Sequence, residues 1–205
     1  FETDGPLGAI ALYKAIKAIG GSPVLVCEAP LCTLLNTDFQ TLEIKINEDG
    51  QNQAQKALDQ YQPALVISIE RPGQSNDGRY YNMRGIDISE YCADYDSFLS
   101  LATCPTIAIG DGGNEIGMGN ITEALEQLDI HAATTECDEL LLADISNWAA
   151  HGLAALLSTI SGQDILSDWN NKSVLQMLSD GGSVDGVTGE NTLTEDGVDS
   201  DVSQR

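Results

Sequence analysis

"PTIAIGDGGNEIGMGNITEALEQL", residues 105–128, decides the fold of this chain. A short apolar run ending at Ile109 reads as a buried strand, because it is too short for a helix and is bounded by turn formers. It runs straight into glycines. The segment that follows reads as a helix with Asn120 as its N-cap. Strand, polar Gly-rich turn and helix form the repeating unit of an open α/β sheet.

The same order recurs outward in both directions. Downstream, "DELLLADIS" reads as a strand and "NWAAHGLAALLSTISG" as a helix. Upstream, "PALVISIE" is a buried strand ending at Glu70, and "EYCADYDSFLSLA" reads as the helix between it and the opening strand. "NQAQKALDQYQ" is a polar amphipathic helix, and "PVLVCE" and "LEIKI" are strands around a short helix in "APLCTLLNTD". "GAIALYKAIKAIG" places Ile10, Leu12, Tyr13, Ile16 and Ile19 at helical spacing and closes on Gly20-Gly21. The alternation predicts an α/β class: a mostly parallel sheet with helices on both faces, Rossmann-like and three-layered. The first strand is expected upstream of Phe1. "SVLQMLSDGG" reads as the last helix, and the acidic tail from about residue 190 as a loop or frayed end. The chain reads as a single domain, 1–205.

Composition removes several function classes. The 205 residues carry nine Lys and Arg against 32 Asp and Glu, a net charge of −23. Nucleic acid and anionic membranes both need a basic footprint, so neither is an expected partner. No apolar run reaches the roughly 20 residues of a spanning helix. The five cysteines are scattered, without a C-x-x-C pair, which predicts a reducing compartment: the cytoplasm, or the mitochondrial matrix in a eukaryote. His131 and His151 have no metal-like spacing, and His151 reads as a satisfied core histidine.

Polar residues collect where strands meet helices. "ETDGPLG", "ERPGQSNDGRYYNMRG", "GDGGNEIGMGN" and "DISNW" would lie on one edge of a parallel sheet, where ligands bind. "IERPGQSNDGRYYNMRGIDIS", residues 69–89, holds three of the chain's four arginines: Arg71, Arg79 and Arg84. Guanidinium groups gathered in so acidic a chain point to a bound carboxylate. The plainer alternative is a surface salt-bridge loop. "GDGGNEIGMG" lacks the third glycine of a dinucleotide loop, since Glu115 stands there, and lacks the Lys of a P-loop. Asp111, Asn114 and Glu115 beside Gly112 and Gly113 instead suit a small ligand approaching the backbone. A hard cation on Asp4, Asp111 and Glu115 is compatible with the sequence but not demanded, so no cofactor and no metal are expected.

Taken together, "ETDGPLGA", "IERPGQSNDGRYYNMRGIDIS", "IGDGGNEIGMGN", "CDELLLADISNWAAHGLAALLS" and "VDGVTG" resemble the D-glutamate cyclase family, the C-terminal domain of the mitochondrial enzyme and its bacterial relatives. The resemblance runs in order from Glu2 to about Gly189 and departs at Asp144, where a small residue is more usual. It implies closure of D-glutamate to 5-oxo-D-proline with loss of water, reversibly. A substrate with two carboxylates and one ammonium needs cations and acids together. Arg71, Asp111 and Glu115 are the expected catalytic residues, with Asp111 or Glu115 as the base and the choice open. Asp4, Gly5, Arg79, Asn82, Arg84, Gly112, Gly113, Asn114 and Asn147 are the expected binding residues, the amides of Gly112 and Gly113 facing the oxyanion. The partner is a small acidic amino acid, and a homo-oligomer is compatible. Two other readings stay open: a non-catalytic module binding a small acidic amino acid or hydroxy acid, and a lyase or racemase on a related acid.

Overall fold

The computed structural model describes residues 1–203. In chain order the elements are α1 (Pro6–Ala18), β1 (Leu25–Cys27), α2 (Leu31–Leu35), β2 (Thr41–Glu43), α3 (Gly50–Tyr61) and β3 (Val66–Ile69). There follow α4 (Asp96–Ser100), β4 (Thr106–Gly110), α5 (Thr122–Leu125), β5 (Glu139–Leu142) and α6 (Ser146–Ser161). The chain continues with α7 (Asn171–Asp180), β6 (Thr194–Glu195), β7 (Val198–Asp199) and α8 (Ser200–Ser203). The class is α/β, with parallel sheets flanked by helices. The strands form two parallel ladders: β1 beside β2, and β3–β4–β5 with β4 in the middle. In the second ladder Ile69 stands opposite Ile109, and Ile109 opposite Leu141. β4, the central strand of the second ladder, buries four of its five residues.

The chain packs as two compact units, Phe1–Glu43 with Asp144–Arg205, and Ile44–Ala143. In the first, α1 lies along α6. The approach is close because Gly8 has no side chain: a Cβ there would stand 2.7 Å from that of Ala150. Leu7, Ile10, Ala11 and Ala15 form the buried stripe of α1, while Ile19, expected on it, is exposed. Leu7 and Ile10 join Cys27, Leu31, Leu35, Val174, Leu175 and Leu178 in one apolar core. In the second unit Met118, Leu125 and Ala133 pack with Ile121, Ile130 and Leu140.

Three expectations are corrected, the first because a side chain prefers a local hydrogen bond to helix continuation. "EYCADYDSFLSLA" yields only a 3-10 turn at Ser89–Tyr91 and the five-residue α4. Asp94 accepts from the N–H and hydroxyl of Ser97, which starts the helix late. Asn120 is not an N-cap. Its amide brackets Cys137, donating to the carbonyl at 2.9 Å and accepting from the N–H at 3.0 Å. The tail is not frayed over its described residues. β6 and β7 form an antiparallel hairpin followed by α8. Asp185 anchors this hairpin, accepting from the Thr194 hydroxyl and Gly197 N–H at 2.7 Å each. Asp185 and Glu195 are fully buried, which composition alone does not reveal. Among the described residues no helix is long and apolar enough to cross a membrane.

Candidate functional site

The loops that leave β3 and β4 are stitched together by their backbones. Glu70, at the end of β3, takes a left-handed φ of 51° while its N–H still bonds the Ile109 carbonyl at 2.9 Å. Such strain on a residue with a side chain is uncommon and marks a turn that its surroundings enforce. The next residues pair with the Gly-rich loop. Gly73 N–H donates to the Asn114 carbonyl and Ile116 N–H to the Arg71 carbonyl, both at 2.8 Å, around a Pro72–Glu115 bridge. A Cβ on Gly73 would meet Ile116 N at 3.0 Å and the Ala133 Cβ at 2.8 Å, so glycine is what admits the pairing.

This stitching brings Arg71, Asn114 and Glu115 into one assembly. The Arg71 guanidinium carbon lies 4.1 Å from the centroid of the Tyr95 ring. The half-buried cation is thereby held in a fixed plane. Glu115 is 2% exposed, and its two oxygens accept from Gly112 N–H at 3.0 Å and Gly113 N–H at 2.7 Å. The amides expected to face an oxyanion therefore hold a carboxylate of the protein itself. Asn114 donates to the Tyr81 carbonyl at 2.8 Å, and its buried Oδ1 has no hydrogen-bond partner among the described residues. Asp111, half-buried, stands directly after β4. Asp96 underpins the loop, accepting from Gln74 N–H, the Tyr80 hydroxyl and the Thr135 hydroxyl. Burial pushes its carboxyl above the ordinary range.

The other arginines sit differently. Arg79 is exposed and pairs with Asp87 at 3.5 Å and Asp77 at 3.9 Å. Arg84 is also exposed. Asn82 shapes a turn, its Oδ1 accepting from the N–H groups of Arg84 and Ile86 at 3.0 Å each. At this distal end of the stretch the plainer reading, a surface salt-bridge loop, describes Arg79. His131 is exposed, with its ring stacked on Tyr81 at 3.9 Å.

Asp4, Gly5 and Asn147 belong to the other unit and form a second network. Asp4 is 3% exposed and accepts from Gly5 and Asn147 N–H groups at 2.9 and 2.8 Å, and from Ser146 N–H at 3.0 Å. It therefore caps α6. Burial, and next the negative Asp196, push its carboxyl up to about 7. Asn147 caps α1, its Oδ1 accepting from Gly5 and Gly8 N–H groups at 3.0 and 2.8 Å. Its amide is oriented by the wholly buried Glu195, which accepts from Nδ2 at 2.8 Å. His151 is half-buried edge-on to Trp169, and burial lowers its pKa to about 4. Its Nε2 has no partner among the described residues, so it is not the satisfied histidine expected. Tyr95, Asp96 and Glu195 escaped the sequence reading. "ADYDSF" reads as part of a helix and Glu195 as part of an acidic tail.

A family model described as D-glutamate cyclase-like, C-terminal, matches residues 1–205. A relative named D-glutamate cyclase, mitochondrial, from Homo sapiens is 30% identical over 206 residues, covering 84% of this chain and 32% of the relative. The chain thus spans about a third of that relative's length. With its whole described length matched, the chain belongs to the D-glutamate cyclase-like, C-terminal family.

Proposed function

We propose that this chain closes D-glutamate to 5-oxo-D-proline. The α-nitrogen attacks the γ-carboxyl carbon, a C–N bond forms, and one carboxyl oxygen leaves as water with the two protons shed by the ammonium. The reaction is redox-neutral and needs no cofactor. The observation that carries this reading is the family match along residues 1–205, since the family's description names the substrate. The β3–β4 junction supports it, because it offers the groups such a substrate requires. A planar cation at Arg71 suits a carboxylate, which it neutralises and polarises. Asp111 and Glu115 are the proton carriers, taking protons from nitrogen and delivering them to the departing oxygen. A curled substrate held between them has already lost much of the entropy that cyclisation costs.

The test is incubation with D-glutamate, L-glutamate and both 5-oxoprolines, resolved by chiral chromatography and repeated after dialysis against EDTA. D-glutamate and 5-oxo-D-proline should interconvert with or without the chelator. Asp111→Asn should slow this about 100-fold. Tight D-glutamate binding without product would sink the cyclase reading and leave a binding module. A product other than 5-oxoproline would reassign the chain to a different reaction on a related acid.

A further inference from the structure

We propose that the paired amides of Gly112 and Gly113 are a carboxylate-binding nest that Glu115 fills when no substrate is present. A substrate carboxylate would enter by displacing it. This deepens the cyclase reading and rests on it for the identity of the substrate.

The nest comes first. Two successive backbone N–H groups aim at the Glu115 carboxylate, at 3.0 Å from Gly112 and 2.7 Å from Gly113. Gly113 has a φ of 113°, a conformation that side chains resist, and it bends the chain so that successive amides converge. Gly112 and Gly110 make room for the guest. A Cβ on Gly112 would lie 2.9 Å from Glu115 Oε1, and one on Gly110 3.1 Å from Oε2. The glycines thus shape a cavity for one carboxylate.

The occupant is poorly compensated. Glu115 is 2% exposed, and among the described residues no Lys or Arg forms an ion pair with it. A buried carboxylate held by neutral donors alone bears a desolvation cost that a cation would offset. Exchanging it for a ligand carboxylate keeps both amide bonds and frees Glu115 to meet a positive group.

The surroundings supply the way in and the complement. The roof over Gly112 is Met83, whose sulfur lies 2.8 Å from where a Gly112 Cβ would stand and whose side chain belongs to a 47% exposed residue. An unbranched thioether moves at little cost. Next along the loop, the buried Asn114 Oδ1 is an acceptor without a donor among the described residues. An α-amino acid provides what this loop lacks: a carboxylate for the nest and an ammonium for Asn114 and the released Glu115. The nest is therefore assigned to the α-carboxylate, which leaves the γ-carboxylate to Arg71.

The probe is glutarate, a dicarboxylate that has no amine and cannot cyclise. Its titration into 15N-labelled protein should shift the Gly112 and Gly113 amide resonances together, with one saturation curve. D-glutamate should do the same about 10-fold more tightly, through its ammonium. Glu115→Ala removes the internal competitor and should bind glutarate about 10-fold more tightly than the parent. Glu123→Ala, which removes an exposed charge, should bind it within about twofold of the parent. Saturation that leaves both amides unmoved overturns the nest, as does unchanged affinity in folded Glu115→Ala. Should that variant not fold, the parent titration decides alone. Turnover is scored separately: amide shifts without 5-oxoproline formation overturn the cyclase reading and keep the nest, and the converse overturns the nest.

Discussion

Arg71 and Arg79 lie eight residues apart in one stretch, yet their surroundings differ in kind. Arg71 is half-buried with its guanidinium 4.1 Å from the Tyr95 centroid, while Arg79 is exposed and paired with Asp77 and Asp87. Exposed pairs contribute little, whereas a stacked planar cation cannot be replaced by an ammonium without losing its geometry. Arg71→Lys should therefore lower kcat/KM for D-glutamate at least 10-fold, and Arg79→Ala should change it less than about twofold. Steady-state kinetics decide this, and equal losses in both variants would show that Arg79 serves the substrate as Arg71 does. The distinction was partly legible. Asp77 and Asp87 stand in the same stretch as Arg79, so its partners were on the page. Tyr95 was not, because a contact between a strand-end arginine and an aromatic residue 24 positions later depends on how the intervening loop folds back.

The α1–α6 contact shows what an element owes to one missing methyl. Gly8 is buried in the first turn of α1, where alanine would be favoured on propensity by at most about 1 kcal/mol. Here that Cβ would stand 2.7 Å from the Ala150 Cβ and 3.1 Å from the Asn147 Cα, neither of which can move without shifting α6. Overpacking should win, so Gly8→Ala is expected to lower stability by about 1–3 kcal/mol. Thermal or urea unfolding reads this directly, and an unchanged or raised midpoint would contradict the packing argument. Element types were legible wherever apolar periodicity was strong, as in α1, α3, α6 and the strands around β4. Lengths were less so, because a polar side chain such as Asp94 delays a helix by bonding locally, and one such as Asn120 bonds to a distant segment instead of capping. The β6–β7 hairpin was illegible for a different reason. The acids that hold it, Asp185 and Glu195, are satisfied by partners as distant in sequence as Asn147, and composition counts them as solvent-facing.

At the scale of the whole molecule, charge sets how stability responds to pH. Burial raises the carboxyls of Glu2, Asp4, Asp96 and Glu195, with Asp4 reaching about 7. A carboxyl whose folded pKa lies above its unfolded one favours the folded state at low pH, and that stability is lost as pH rises through the folded value. For Asp4, raised from 3.8, the window runs from about 4 to about 7. His151 acts in the opposite direction. Its pKa falls from 6.5 to about 4, so the stability it contributes is present above 6.5 and lost as pH falls toward 4. Acidification also lowers a net charge of −23 and with it the self-repulsion of the chain. Salt at about 0.5 M screens that general effect and leaves the buried groups exposed to measurement. Under those conditions Tm should rise as pH falls from 8 to 6 and climb less steeply below 6, where His151 charging in the unfolded state opposes the carboxyls. Asp4→Asn should flatten the rise between pH 8 and 6. His151→Leu should remove that opposition, so that Tm climbs more steeply toward pH 5. A parent Tm that does not rise from pH 8 to 6 would show that Asp4 is ionised in the folded state throughout, held so by the N–H groups of Gly5, Ser146 and Asn147.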